Sequence, residues 1–141
     1  MAKWANGQYT VKNPEKYAGN RPPRYRSSWE LNFFRFADNH PAVVSWVSEG
    51  IKIPYQNPFT GKSTVYVPDI FIVYQDKNGK QHAELIEIKP SSQTYMEAAG
   101  KNPQNQAAVA LNYVKWQAAA AWCKQKGIFF RVINEQQLFK Q

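Results

Sequence analysis

A chain of 141 residues with 43% hydrophobic and 15% aromatic content is long enough for one domain with its own core and too apolar to stay disordered. Its single cysteine, Cys123, excludes an intramolecular disulfide and a thiolate zinc site and points to a reducing interior. The formal net charge is +8, and no apolar run reaches the length of a signal peptide or a bilayer span, so the expectation is a protein neither secreted nor membrane-bound, with a polyanionic partner.

Residues 1–30 carry six basic and two acidic side chains, 31–100 six and seven, and 101–141 six and one. The acids are concentrated between two basic ends. The first 26 residues scatter Gly7, Asn13, Pro14, Gly19, Asn20, Pro22 and Pro23 among Lys12, Lys16, Arg21, Arg24 and Arg26, which predicts an extended basic arm over 1–26 with little regular structure, ahead of a domain over 27–141. Ser27-Ser28-Trp29-Glu30 has the form of a capping box and predicts a helix to about Asp38, with Leu31, Phe34 and Ala37 facing the core and His40-Pro41 ending it.

From Ala42 the hydrophobic period changes to two. The pattern predicts strands at Val43–Val47 and Ile51–Tyr55, a turn through Asn57, Pro58 and Gly61, and a long strand at Thr64–Tyr74. A hairpin turn at Asp76-Lys77-Asn78-Gly79 leads into a strand at Gln81–Lys89, completing an antiparallel meander. After a polar stretch with a short helical turn around Met96, Asn105 to Lys126 reads as a long alanine-rich helix with Ala108, Leu111, Lys115, Ala118 and Trp122 near one stripe and Gly127 as its cap. A strand at Phe129–Ile133, parallel to Gln81–Lys89 through a right-handed crossover, and a short helix at Glu135–Phe139 close the chain. Trp29, Trp46, Trp116 and Trp122 read as core, whereas Trp4 sits in the arm.

Within this frame, alternation sets Asp69 on one face with Val65, Val67, Phe71 and Val73, a lone carboxylate in an apolar row. The strand at Gln81–Lys89 aligns Ala83, Leu85, Glu87 and Lys89 on one face and Ile86 and Ile88 on the other, the signature of a central strand. Two adjacent strands thereby bring Asp69, Glu87 and Lys89 to one sheet edge. Phosphodiester hydrolysis suits such a set, since two carboxylates hold Mg²⁺ through oxygen and an amine orients a water beside it. From the residues alone, Glu87 and Lys89 read equally as an exposed ion pair, and Asp69 as a strand-end residue beside Pro68. His40 and His82 stand apart from any zinc spacing, and no glycine-rich phosphate cradle is present, which argues against a nucleotide cofactor.

Pro68-Asp69 followed by Glu87-Ile88-Lys89 resembles the PD-(D/E)xK motif of restriction-type nucleases. Together with Tyr25-Arg26-Ser27-Ser28-Trp29-Glu30 and Tyr66-Val67-Pro68-Asp69, it is similar to two groups in that superfamily, the tailed-phage head completion nucleases and the endonuclease subunit of heteromeric transposases. The resemblance spans roughly Asn13 to Trp122, and the opening Lys12-Asn13-Pro14-Glu15-Lys16-Tyr17 looks more like the phage group. It implies an α/β restriction-endonuclease-like core, with a mixed four- to five-stranded sheet flanked by helices.

Carried over by position, the resemblance makes Asp69 and Glu87 metal ligands, the Ile88 carbonyl a further ligand, Lys89 the catalytic lysine and Glu30 the acidic residue on the helix. Glu30 also reads as the glutamate of the capping box, and Lys115 as either a phosphate contact or a snorkelling surface lysine. Glu84 points away from Glu87 as a solvated or paired residue. Gln106 is followed four residues later by Ala110 rather than Tyr, so the placement found in exonuclease branches is not implied.

The activity implied is a Mg²⁺-dependent endonuclease of low sequence specificity, with Mn²⁺ able to substitute, acting on double-stranded DNA during phage head completion. Its implied partners are capsid or portal-neck proteins, and its implied location is the virion or host cytoplasm. Arg21, Arg24, Arg26 and the C-terminal lysines would grip the DNA backbone. The competing expectations are a non-catalytic DNA-binding head protein and a transposase-type strand cleaver that needs a partner.

Overall fold

Ser27 opens the first helix by the route its sequence predicts. In the computed structural model, which describes residues 6–94 and 96–134, helix α1 (Ser28–Asn39) begins with the Ser27 hydroxyl accepting the Glu30 N–H at 3.2 Å. It ends where His40, restrained by Pro41, leaves helical geometry at φ −75°, ψ 126°. Its buried face is Trp29, Phe33, Phe34, Ala37 and Asp38. Leu31, expected in the core, only packs against its edge.

The short strands β1 (Gly7–Gln8) and β2 (Arg24–Tyr25) pair antiparallel ahead of α1. The segment read as an extended arm is mostly irregular, yet it packs tightly on the rest of the chain. Tyr9 enters the core, Tyr17 stacks edge-on against Trp46 at 4.7 Å between ring centroids, and Asp38 accepts the backbone N–H groups of Lys12 and Asn13 at 2.7 and 3.0 Å. Scattered aromatics in a Pro- and Gly-rich stretch leave no periodic trace, so local sequence hides this docking.

The main sheet has four strands in the order β3 (Val43–Ser48), β6 (Ile70–Gln75), β7 (Gln81–Ile88) and β8 (Phe129–Ile133). The first three are antiparallel neighbours, and β8 lies parallel to β7. This mixed sheet flanked by helices is a restriction-endonuclease-like fold. The long strand expected at Thr64–Tyr74 is instead two. β5 (Ser63–Tyr66) pairs only with β4 (Ile53–Gln56) in a separate two-stranded sheet, and the chain breaks at Val67-Pro68-Asp69 before β6 begins. Pro68 donates no ladder hydrogen bond and fixes its own φ, so the ladder cannot continue through it. The meander is therefore interrupted by a hairpin, and the β3–β6 pairing spans that excursion.

Helix α3 (Pro103–Lys126), preceded by the short α2 (Met96–Ala99), supplies the crossover between β7 and β8. Asn102 caps it by accepting the Gln104 and Asn105 N–H groups, and Gly127 ends it in the left-handed conformation at φ 70°. Its most buried positions are Val109, Asn112, Ala119 and Cys123, one residue on from the predicted Ala108–Trp122 stripe, which lies half-buried along the flank. An alanine-rich helix gives weak contrast between its faces, which is why the stripe was displaced. The terminal helix expected at Glu135–Phe139, and Trp4, lie outside the described residues.

The two sheet faces carry separate cores. Ile70, Ile72, Ile86, Ile88 and Ile133 meet Trp29, Phe33, Phe34 and Trp46 on the α1 side. Leu85, with Phe71 and Phe130 beside it, meets Ile53, Tyr66, Ala119 and Cys123 on the α3 side, where Trp116 and Trp122 pack from the rim. Emptying a fully buried site such as Trp46 typically costs about 3–5 kcal/mol.

Candidate active site

Asp69 stands just beyond the Ile70–Ile86 pair of the β6–β7 ladder, at the end where the two strands part. Its carboxylate accepts the Ile88 N–H at 2.7 Å, and its own N–H donates to a Glu87 carboxylate oxygen at 3.3 Å. These reciprocal bonds fix both acids at one strand end. Glu87 is 4% exposed and lies 3.5 Å from the Lys89 ammonium. The side chains of Glu87 and Lys89 therefore fall on the α3 side, while Ile86 and Ile88 bury on the α1 side, as alternation requires.

Here the sheet opens into a hollow of about 510 Å³ lined by Asp69, Glu87, Lys89 and Lys115, with Arg26, Glu49, Lys52 and Tyr66. Of the residues expected to bind DNA, Lys115 and Arg26 line this hollow, whereas Arg21 and Arg24 line the neighbouring one. Lys115 reaches it across the faces of Tyr66 and Tyr55, at 5.6 and 6.0 Å from the ring centroids. Burial, helped by the charge of Lys89, holds its ammonium below the ordinary lysine value.

The electrostatics are those of crowded acids. Burial pushes the Asp69 carboxyl well above the usual carboxylate range, and the charges of Glu87 and Glu30 push it further. Glu87 is raised by burial despite the neighbouring Lys89. The charge of Glu87 adds to burial in driving the Tyr66 phenol up.

Glu30 sits in the first turn of α1, outside the lining of the hollow. Its backbone N–H takes the Ser27 cap, while its carboxylate accepts the N–H of Arg26, the residue before the cap, at 3.1 Å. That differs from a closed capping box, in which the glutamate would bond the cap residue itself. Burial raises the Glu30 carboxyl, and the charges of Glu49 and Glu87 add to the effect. On the opposite sheet face Glu84 is paired, accepting the Tyr74 hydroxyl and lying 3.1 Å from the Arg131 guanidinium.

Sequence reasoning passed over Glu49, Lys52 and the placement of Tyr66. Glu49 follows β3, holds φ at +53°, donates its N–H to the Asp69 carbonyl at 2.9 Å and binds Arg26 through two 3.0 Å contacts. No periodicity marks a single acid in a turn, and the sequence offered no signal for it. Among the described residues no three His, Cys, Asp or Glu side chains converge as a complete ligand set. The hollow instead presents Asp69 and Glu87 beside cations, an arrangement suited to a substrate that brings its own phosphate oxygens.

Residues 40–135 match the family described as TnsA-like endonuclease N terminal. Across 92% of its length the chain is 34% identical to the Head completion nuclease of Enterobacteria phage T4, covering 91% of that protein.

Proposed function

This chain belongs to the TnsA-like endonuclease family and is a nuclease, and we propose that it cuts double-stranded DNA with Mg²⁺ and little sequence specificity, processing ends as a phage head is completed. The observation that carries this reading is the reciprocal bonding of Asp69 and Glu87 across β6 and β7, in a hollow that also holds Lys89 and Lys115. Similarity to the Head completion nuclease supports the placement at the phage head, with capsid or portal-neck proteins as partners in the virion or the host cytoplasm. No helix among the described residues is long and apolar enough to cross a membrane.

The donor set fits a hard divalent cation. Asp69 and Glu87 offer carboxylate oxygens, with the Ile88 carbonyl and Glu30 as further donors, and waters and a phosphate oxygen would fill the remaining positions. Two acids raised chiefly by burial are also the groups a cation would return to their ionised form. When bound, Mg²⁺ polarises the scissile phosphate and acidifies a coordinated water, and Mn²⁺, with the same preference for oxygen, substitutes for it.

The remaining work falls to the chain. Lys89, held beside Glu87, orients the attacking water and stabilises charge developing on the phosphate. Lys115 and Arg26 neutralise phosphates at the rim, and Arg21 and Arg24 grip the backbone further out. None of these contacts reads a base edge, which accounts for the low sequence specificity.

Supercoiled plasmid incubated with purified protein and Mg²⁺, Mn²⁺ or chelator tests the reading, beside folded Asp69→Ala and Lys89→Ala variants. Nicking that needs metal and disappears in both variants is expected. Salt-sensitive DNA binding with no cleavage under any metal would favour a binding module, or a nuclease silent without a partner subunit.

A further inference from the structure

A second and larger hollow, about 740 Å³, adjoins the first, and Arg26 and Glu49 line both. Arg21, Arg24 and Asn20 belong to its wall, together with Tyr17. Glu49 is the one acidic side chain among the described residues that line it, and it stands at the junction with the catalytic hollow.

Two features of Glu49 call for an explanation. The first is its backbone. A φ of +53° is a left-handed conformation that glycine or asparagine adopts more easily than glutamate, and such outliers persist only where surrounding contacts hold them. The second is what holds it. Its N–H extends the β3–β6 ladder to the Asp69 carbonyl, and its carboxylate faces the Arg26 guanidinium in a two-bond fork at 3.0 Å each. Asp69 is thus pinned on both sides, through its N–H by Glu87 and through its carbonyl by Glu49.

The fork is open to solvent, with side-chain exposures of 64% for Arg26 and 32% for Glu49. An ion pair so exposed contributes little and exchanges readily. A guanidinium that donates to a carboxylate in a fork donates to a phosphate in the same geometry.

We propose that Glu49 is a substrate-displaced latch on Arg26, and that the larger hollow takes the DNA backbone flanking the phosphate that is cut. In the free protein Glu49 occupies the Arg26 fork. A backbone running from the Arg21 and Arg24 wall into the catalytic hollow presents a phosphate at the junction and takes Arg26 from Glu49. DNA that touches only the outer arginines leaves the latch closed, so Glu49 weakens loose binding and favours DNA seated through the site. This inference rests on the DNA reading above.

The test is equilibrium binding of a short fluorescein-labelled duplex in chelator, where no cutting occurs. Wild type, Glu49→Gln, Glu49→Asn, Arg26→Gln and the double variant Glu49→Gln/Arg26→Gln are compared, each checked for folding by thermal melt. Asparagine tolerates the left-handed backbone and keeps the comparison available if glutamine strains the turn. Removing the carboxylate should tighten binding about two- to fivefold, the span expected from releasing an exposed pair. Arg26→Gln should weaken binding, and the double variant should match Arg26→Gln alone, because Glu49 acts only through Arg26. If wild type binds the duplex and both Glu49 variants bind it equally or less tightly, the latch is overturned while the DNA reading stands. Tightening that persists in the double variant also overturns it, as general loss of negative charge would explain that result. A wild type that binds no duplex overturns both.

Discussion

Two aspartates on opposite sides of this sheet show how differently one fold treats the same carboxylate. Asp38, at the end of α1, is fully buried and surrounded by donors: the Tyr9 hydroxyl at 2.6 Å and the Lys12 and Asn13 amides at 2.7 and 3.0 Å. Burial alone would raise its carboxyl, but these hydrogen bonds outweigh it and hold Asp38 below the usual carboxylate range. The Asp69 carboxylate accepts the Ile88 amide at 2.7 Å and has acids for neighbours. Burial and the charges of Glu87 and Glu30 leave it well above that range. The acid at the end of α1 is given partners, whereas the acid of the candidate site is kept short of them and departs from the packing rule for buried charge.

The sharpest way to break this contrast is to neutralise each acid and watch activity and stability move in opposite directions. Asp69→Asn keeps an oxygen for the Ile88 amide and removes a repelling charge. Plasmid cleavage should fall on the order of 10²–10³-fold or more, while the denaturant midpoint should rise, by about 1 kcal/mol of stability. A variant that loses activity and is also destabilised would show that Asp69 is an ordinary structural acid, and the contrast would fail.

Asp38→Ala should do the reverse. It strands the buried Tyr9 hydroxyl and leaves two partly buried backbone amides without their acceptor, and should cost about 2–3 kcal/mol, read from urea unfolding. The pH dependence of the same site carries a defined sign. A carboxyl whose folded pKa is depressed stabilises the fold in its ionised form, so the contribution is complete above the ordinary value of 3.8 and disappears as pH falls through the lower folded value. The stability gap between wild type and Asp38→Asn should therefore narrow as acid is added through that window. A gap that stays constant would mean that Asp38 contributes by shape alone.

Of this contrast, the Asp69 side was visible in the sequence and the Asp38 side was not. Pro68-Asp69 and Glu87-Ile88-Lys89 are local strings on strongly alternating strands, so their common edge followed from the hairpin turn at Asp76–Gly79, where Gly79 takes a φ of +81°. The Ser27 cap and the parallel return of β8 were equally local consequences of helix start signals and crossover handedness.

Asp38 instead depends on Tyr9, Lys12 and Asn13, which lie 25 to 29 residues earlier in a segment without period. Glu49 depends on Arg26 in the same way, 23 residues away. Lys115 shows the intermediate case, since its helix was legible but its rotation was not. Alanines on every side blurred which stripe faced the sheet, and only the packing of Val109, Ala119 and Cys123 turns Lys115 toward Glu87. Local pattern specified elements and motifs, while contacts closed over long loops decided which charges met.

Glu84 offers the smallest and most discriminating test, because it stands between the two extremes. It is 9% exposed on the α1 face of β7, three residues from Glu87 in the same strand. It has a neutral donor, the Tyr74 hydroxyl, and a charged partner, Arg131, at 3.1 Å. If donors rather than the ion pair are what make a buried acid structural, Arg131→Met should matter little. The Arg131 side chain is 56% exposed, so solvent screens the pair and the expected loss is under about 1 kcal/mol. Tyr74→Phe should cost about as much or more, although it removes no charge, because it takes away the hydroxyl that satisfies the buried oxygen. Urea midpoints of the two variants decide the order. If Arg131→Met proves much the more damaging, charge pairing holds Glu84 in place, and the hydrogen-bond account of Asp38 loses its generality on this face of the sheet.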